Sequence, residues 1–258
     1  MINLLFLILN LKLLYYIYRC DLMYFGGSVV SSVDFHGRMS FMIFLSQCPL
    51  RCPYCQNPEL LDDKTEKPLD EVLKLINYNA DFMDAVVVSG GEPLVQSDDV
   101  LSILKYSKDI GLETKLDTSA IYPNRLESLL DYTDYVAMDI KVPFDKYKEV
   151  IGAPVGDAVK SSMEMVYNRE DVVLECRTTY VPKLMSLSDI ETIAKSVKCD
   201  IYTLQQFRNR NVLDQRLYTI DSPNALDMRE FAQYLKKYYL KDIEVFLKTA
   251  EFGNEIIK

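Results

Sequence analysis

The sequence predicts an α/β fold, a partial and open (β/α)6 barrel of the TIM-like kind, and three observations carry that prediction. Short apolar, β-rich runs alternate with amphipathic helical stretches from about Met23 onward, the order expected of a parallel sheet. Six of those runs are continuous and apolar enough to be covered on both faces, as parallel strands are. Polar residues gather at or just past the C-terminal ends of the same runs, the end at which βα barrels build their sites. Six strands leave a gap that about eight would close, so one side is expected to stay open.

The strands are expected over Ser40 to Leu45, Ala85 to Ser89, Thr114 to Thr118, Tyr135 to Ile140, Val172 to Tyr180 and Tyr202 to Phe207. Helices are expected over Leu69 to Tyr78, Val100 to Asp109, Asn124 to Leu130, Ala158 to Tyr167, Asp189 to Val197 and Ala225 to Tyr238. Pro68 or Asp70 supplies a start signal for the first helix, and Ser188 with Glu191 reads as a capping box for the fifth. The run Ile243 to Leu247, IEVFL, offers one more strand.

A chain of 258 residues, 49% hydrophobic and 26% charged, can bury one substantial core. No repeat, low-complexity tract or charge block marks a linker, so residues 23–258 read as a single domain. Residues 1–22 stand apart. Leu4 to Tyr18, LLFLILNLKLLYYIY, is apolar but short of the roughly 20 residues that span a bilayer, and Asn10 and Lys12 interrupt it. A signal peptide would want a basic start and small residues at a cleavage site, and the sequence has neither. The first reading is therefore that Met23 is the true start, with a peripheral anchor or an extra packed helix as the alternatives. Membrane association is not expected.

The net charge of -9 argues against a nucleic-acid partner, because that affinity rests on clustered Lys and Arg. Six cysteines are too few for a secreted disulfide scaffold in a chain of this size, which points to a reducing, cytoplasmic compartment. The single histidine, His36, excludes His-rich zinc sites and leaves little scope for a histidine-based triad.

Three of the cysteines fall within SQCPLRCPYCQNPEL, Ser46 to Leu60. Cys48, Cys52 and Cys55 have the spacing C-x3-C-x2-C, which a loop kept from helix by prolines can fold into a tripod of sulfurs. Soft thiolates select zinc, copper(I) or an iron–sulfur cluster. Structural zinc wants about four ligands, and neither Cys20, Cys176 and Cys199, scattered singly, nor His36 stands at ligand spacing to supply the fourth. A cubane held by three thiolates leaves one iron free for an exchangeable ligand. The plain alternative is three buried loop cysteines without metal.

This motif, with Tyr54 before its last cysteine, resembles that of the radical S-adenosylmethionine enzymes. The stretches SVDFHGRMSFMIFLSQCPLRCPYCQNPEL, VVVSGGEPLVQ, KLDTS, DYVAMDIKVPFDKY, CRTTYVPKL and YTLQQFR together resemble the activating enzymes of glycyl-radical proteins. The nearest resemblance is to the anaerobic ribonucleoside-triphosphate reductase activating proteins, and it runs from Tyr24 to about Asp214. It implies the radical S-adenosylmethionine fold, one 4Fe–4S cluster on Cys48, Cys52 and Cys55, and S-adenosylmethionine on the open iron. It also implies reductive cleavage to a 5'-deoxyadenosyl radical and a glycyl radical made on a partner enzyme, with a flavodoxin or ferredoxin-type electron donor.

The same resemblance assigns cofactor contacts. Gly90 and Gly91 would let the backbone approach the methionine moiety, and Glu92 would offer a carboxylate to its ammonium group. Arg177 matches an arginine that meets a carboxylate or ribose, with an ion pair to Glu175 or Asp139 as its alternative reading. Lys141 matches a lysine near the cofactor carboxylate, or stands as a charge on the rim. Asn57 matches an asparagine that hydrogen-bonds the cofactor, or closes a turn. Asp117, Thr118 and Asp139, with the Ala137 carbonyl, resemble oxygen ligands of a monovalent cation beside the cofactor, against the alternative of a water-filled polar network. Gln56, Ser119 with Ala120, and Arg208 depart from the family pattern and bear on the adenine contacts. No second cysteine cluster is present. Two other functions compete: a radical enzyme acting on a small molecule or another peptide, and a zinc-stabilised binding module.

Overall fold

Alternation along the strands decides which side chains face the helices and which face the barrel lumen. The computed structural model describes residues 22–258, so residues 1–21, with Cys20 and nearly all of the expected N-terminal extension, lie outside the described residues. The strands are β1 (Leu22–Ser31), β2 (Ser40–Leu45), β3 (Glu66–Pro68), β4 (Ala85–Gly90) and β5 (Glu113–Thr118). They continue with β6 (Tyr135–Asp139), β7 (Val173–Tyr180), β8 (Ile201–Gln206), β9 (Glu244–Thr249) and β10 (Gly253–Ile257). The helices are α1 (Leu69–Asn79), α2 (Ser97–Asp109), α3 (Pro123–Glu127), α4 (Tyr147–Val150), α5 (Gly156–Tyr167), α6 (Leu187–Ser196) and α7 (Ala225–Tyr238).

One sheet holds all of these strands, in the order β10-β9-β8-β7-β6-β5-β4-β2-β1-β3. Every neighbouring pair from β2 to β9 is parallel, with a helix returning the chain each time. The sheet ends rather than closing, because β10 turns back antiparallel on β9 while β1 and β3 run antiparallel at the other edge. The partial, open barrel is therefore present, and the six expected strands are β2, β4, β5, β6, β7 and β8. IEVFL does form a strand, so β9 adds a parallel seventh. The strands β1, β3 and β10 go beyond the expectation: β1 carries two glycines and follows directly on the apolar N-terminal run, β3 is three residues long, and β10 is mostly exposed.

Phe41, Ile43 and Leu45 of β2, Val86 and Val88 of β4, and Val136 and Met138 of β6 join the main core beneath the helices. There they meet Leu69, Leu73 and Ile76 of α1, Ile103 of α2 and Met163 of α5, all fully buried. Each such side chain contributes about 1.5–3 kcal/mol. The alternate residues Met42, Ala85 and Val87 turn inward and pack with Phe35, which the β1–β2 loop inserts into the lumen. That loop also spans the gap in the barrel: Asp34 pairs with Lys248 of β9 at 3.6 Å, and the rings of His36 and Phe246 lie 5.6 Å apart.

Two local expectations change. The capping box of α6 belongs to Ser186 and Asp189, not Ser188 and Glu191: the Ser186 N–H donates to Asp189 Oδ2 at 2.8 Å, and Ser186 Oγ accepts from the Asp189 N–H at 3.3 Å. Aspartate serves as well as glutamate because Ser186 is extended, at φ -97° and ψ 167°, and Asp189 is already held by Lys146. The helix expected over Asn124 to Leu130 stops at Glu127, with a 3-10 turn over Leu130–Tyr132 after it. Ser186→Ala should cost about 1 kcal/mol in urea unfolding of the apoprotein. Ser188→Ala should stay within about 0.5 kcal/mol, and the reverse order would return the cap to Ser188.

Candidate functional site

The cysteine loop leaves β2 at Leu45 and is pinned before any metal is considered. The Gln47 and Cys48 N–H groups donate to the Leu60 and Leu61 carbonyls at 2.8 and 3.2 Å, and Cys55 N–H donates to the Cys52 carbonyl at 3.0 Å. Gln47 sits at φ 75°, a rare conformation for a non-glycine residue. Arg51 donates to the Cys48 and Leu50 carbonyls from the outside. Tyr54 is buried and its hydroxyl donates to the Lys141 carbonyl at 3.4 Å, which ties the loop to the end of β6.

The glycine pair makes this docking possible. A Cβ on Gly90, at φ 118°, would lie 2.2 Å from the Leu45 carbonyl oxygen, and one on Gly91 would lie 2.3 Å from that of Gln47. The Gly91 and Glu92 N–H groups in turn donate to those two carbonyls, at 2.7 and 2.9 Å. The close approach that these glycines permit is thus between β4 and the cysteine loop.

A cavity of about 370 Å³ opens at the C-terminal mouth of the barrel, and Cys48, Cys52 and Cys55 all line it. Tyr54, Asn57, Gly90, Gly91, Asp117, Thr118, Asp139, Lys141 and Arg177 also border it. Burial pushes the Cys48 thiol up to about 12 and raises those of Cys52 and Cys55, although Lys141 opposes the rise at both. Burial thus favours neutral thiols at neutral pH, and metal binding displaces their protons. Among the described residues no three His, Cys, Asp or Glu side chains are placed to hold a single metal ion. Three soft thiols around one cavity suit a cluster, in which each thiolate takes its own iron. Cys176 and Cys199 are buried in the core and do not line the cavity.

Charged groups meet at the floor of the cavity. Arg177 Nε donates to Asp139 Oδ1 at 3.0 Å and Nη1 to Asp117 Oδ2 at 3.1 Å, so the pairing with Asp139 is made and Asp117 is added. Lys141 Nζ donates to Asp139 Oδ2 at 3.3 Å. Burial would raise both carboxyls, but Arg177, with Lys115 at Asp117 and Lys141 at Asp139, outweighs it and holds them below the ordinary carboxylate value. The strand register explains the convergence, since Asp139 stands beside Arg177, and Arg177 beside Thr203.

Glu92 takes a different place from the one expected. It is fully buried and does not line the cavity. Its carboxylate accepts from the Leu94 N–H (3.0 Å), Thr118 Oγ1 (2.6 Å), the Ser119 N–H (2.8 Å) and Ser119 Oγ. Those donors, all internal, make it the bracket between β4 and the end of β5. Arg208 also falls outside the cavity lining, while its carbonyl accepts from Gln56 Nε2 at 3.1 Å. Sequence reasoning missed Asp34, Ser89, Thr179, Gln205 and Lys248, which do line the cavity. The signal was the period of two, because Thr179 follows Arg177 by two residues and Ser89 precedes Gly91 by two.

A soft-metal loop set over a charged, buried floor at the mouth of an open βα barrel defines the class, a barrel enzyme built around a cluster. The sequence profile of the Radical SAM superfamily matches residues 42–197. A protein of Methanocaldococcus jannaschii with an inferred assignment as a glycyl-radical enzyme activating enzyme is 38% identical over 217 residues, covering 81% of this chain and 90% of that protein. The pyruvate formate-lyase-activating enzyme of Clostridium pasteurianum is 36% identical over 214 residues, 76% of this chain and 90% of its own. In fold, the chain resembles Streptococcus suis SuiB bound to its precursor peptide SuiA, with a TM-score of 0.66 and 18% identity. That match covers 81% of this chain and only 48% of SuiB, less than half of it. A domain of a pyruvate-formate lyase-activating enzyme from Bacteroides vulgatus aligns with a TM-score of 0.50 and 14% identity, over 64% of this chain and 99% of that domain. The chain belongs to the radical S-adenosylmethionine superfamily and, within it, to the glycyl-radical enzyme activating enzymes. Its cofactors are those of the family, a 4Fe–4S cluster and S-adenosylmethionine.

Glu92→Ala should strand four donors and lower the stability of the apoprotein by at least about 3 kcal/mol in urea unfolding. Unchanged stability with weakened S-adenosylmethionine binding would restore Glu92 as a direct contact.

Proposed function

We propose that the chain generates a glycyl radical on a loop of a larger partner, and that the partner is an anaerobic ribonucleotide reductase. The observation that carries the reading is the meeting of three loop thiols with the half-buried Arg177 and Lys141 in one cavity at the mouth of an open barrel. Support for a protein substrate comes from relatives that are activating enzymes. Support for the reductase comes from the sequence stretches given above, while the relatives' names point to pyruvate formate-lyase or leave the partner unspecified. We place the enzyme in the cytoplasm with a flavodoxin or ferredoxin-type donor. No helix among the described residues is long and apolar enough to cross a membrane.

When bound, the cluster and S-adenosylmethionine supply the one-electron chemistry that removes a hydrogen atom from glycine Cα. Cys48, Cys52 and Cys55 would hold three irons and leave the fourth for the cofactor's amino and carboxylate groups. Lys141 and Arg177 keep positive charge on the cavity wall at neutral pH, because Asp139 beside Lys141, and Asp117 with Asp139 beside Arg177, hold the two cations well above their ordinary values against the opposing effect of burial. Asn57 and Thr118 offer neutral polar contacts on the same wall, and Leu50 and Leu61 its apolar ones.

Changing any one of Cys48, Cys52 or Cys55 to Ala should abolish release of 5'-deoxyadenosine, and a variant with full activity would contradict the ligand assignment. The partner is tested by mixing the reconstituted enzyme anaerobically with reductant, S-adenosylmethionine and each candidate protein. An organic radical in the electron paramagnetic resonance spectrum of the reductase is expected. A radical on pyruvate formate-lyase alone would reassign the partner, and cofactor cleavage with no radical on any candidate would favour a small molecule or another peptide.

A further inference from the structure

Beside the cavity, on the lumen face of β5, lies a third cation close to Asp117, one that the sequence reading passed over. Lys115 lies two residues before Asp117 on β5 and is 3% exposed, although lysine is almost never buried unless paired. Its Nζ lies 3.4 Å from Asp117 Oδ1 and donates to the main-chain carbonyl of Asp34. It also sits over the rings of Phe35 and Tyr135, 5.6 and 5.2 Å from their centroids. A carboxylate, a carbonyl and two aromatic faces thus make a cage fitted to one ammonium group. The Asp117 oxygen that faces it is buried and accepts no hydrogen bond, so Lys115 is the charge that answers it.

The side-chain oxygens expected to bind a monovalent cation, on Asp117, Thr118 and Asp139, are engaged by the protein's own groups. Both Asp139 oxygens are taken, by Arg177 and Lys141. Asp117 Oδ2 accepts from Arg177, and Oδ1 faces Lys115. The Thr118 hydroxyl donates to Glu92 and accepts from the Ala120 N–H. Around Asp117 and Asp139 the protein's own Lys115, Lys141 and Arg177 already supply the answering positive charge.

We propose that the Lys115 ammonium is the built-in counter-ion of this site and that the enzyme needs no bound monovalent cation to hold S-adenosylmethionine. Period-two alternation puts Lys115 directly below Asp117 on the lumen face, and the β1–β2 loop completes the cage through Asp34 and Phe35. Lys115 is a positioning residue: it acts through Asp117 and, beyond it, through Arg177. The inference stands whichever protein receives the radical.

The test compares potassium chloride with tetramethylammonium chloride at equal ionic strength. It reads the thermal midpoint of the apoprotein, thallium(I) binding by thallium NMR, and S-adenosylmethionine cleavage by the reconstituted enzyme without partner. The wild type should have the same midpoint and cleavage rate in both salts and should bind no thallium(I). A midpoint or rate that falls in tetramethylammonium and recovers with potassium, or saturable thallium(I) binding, would overturn the proposal. Lys115→Met should gain a cation requirement, with cleavage lower by about tenfold or more in tetramethylammonium than in potassium, since one partner of a buried charge pair is gone. Lys115→Arg should stay indifferent to the salt. A Lys115→Met enzyme as active in tetramethylammonium as the wild type would also overturn it, and if that variant does not fold, the wild-type measurements decide.

Discussion

The guanidinium of Arg177 holds two carboxylates at once, and the rest of the mouth of the barrel is arranged around that constraint. Asp117 and Asp139 stand on neighbouring strands and face the same lumen, where two uncompensated charges would repel each other and resist burial. With Arg177 between them, the ends of β5, β6 and β7 are fixed relative to one another through side chains as well as through the sheet. The thiol loop is then fastened to the same frame by Tyr54, whose hydroxyl reaches the carbonyl of Lys141 just past β6. Fixed charges in a site of low dielectric interact strongly with a bound ion, and they need no rearrangement when one arrives.

Much of this was legible in the sequence, for physical reasons that differ by element. The runs AVVVS and YVAMDI can only be strands buried on both faces, and their polar C-terminal flanks had to meet at one mouth. The three cysteines and the glycine pair needed no structure to be found. The partnership of side chains was harder to read, because it depends on register between strands far apart in sequence. Glu92 shows this best: its position after two glycines suits a cofactor contact, yet a turn of the chain gives it four internal donors from three residues. Lys115 was overlooked for the related reason that a lysine inside an apolar run looks like a solvated edge until the aromatic faces of Phe35 and Tyr135 are seen beside it.

The glycines also carry a lesson about what such residues do. Gly90 and Gly91 border the cavity, but the space a side chain would take is filled by the backbone of Leu45 and Gln47. Their smallness serves the closeness of two strand ends first, and the cavity wall follows from it. The positive φ of Gln47 belongs to the same construction, since the loop has to turn sharply to bring Cys48 over the sheet.

The β1–β2 loop turns an unclosed sheet into a hoop with one link that is not a strand. Asp34 against Lys248, with the His36 ring tilted against that of Phe246, ties the two ends of the sheet together, and both members of the ion pair border the cavity. Backbone ladders set the girth of a closed barrel rigidly, whereas here one section of the circumference rests on a partly solvated pair of charges and a ring contact. The mouth is thus held at this point by an ion pair that salt screens, where the rest of its circumference is held by hydrogen-bonded strands.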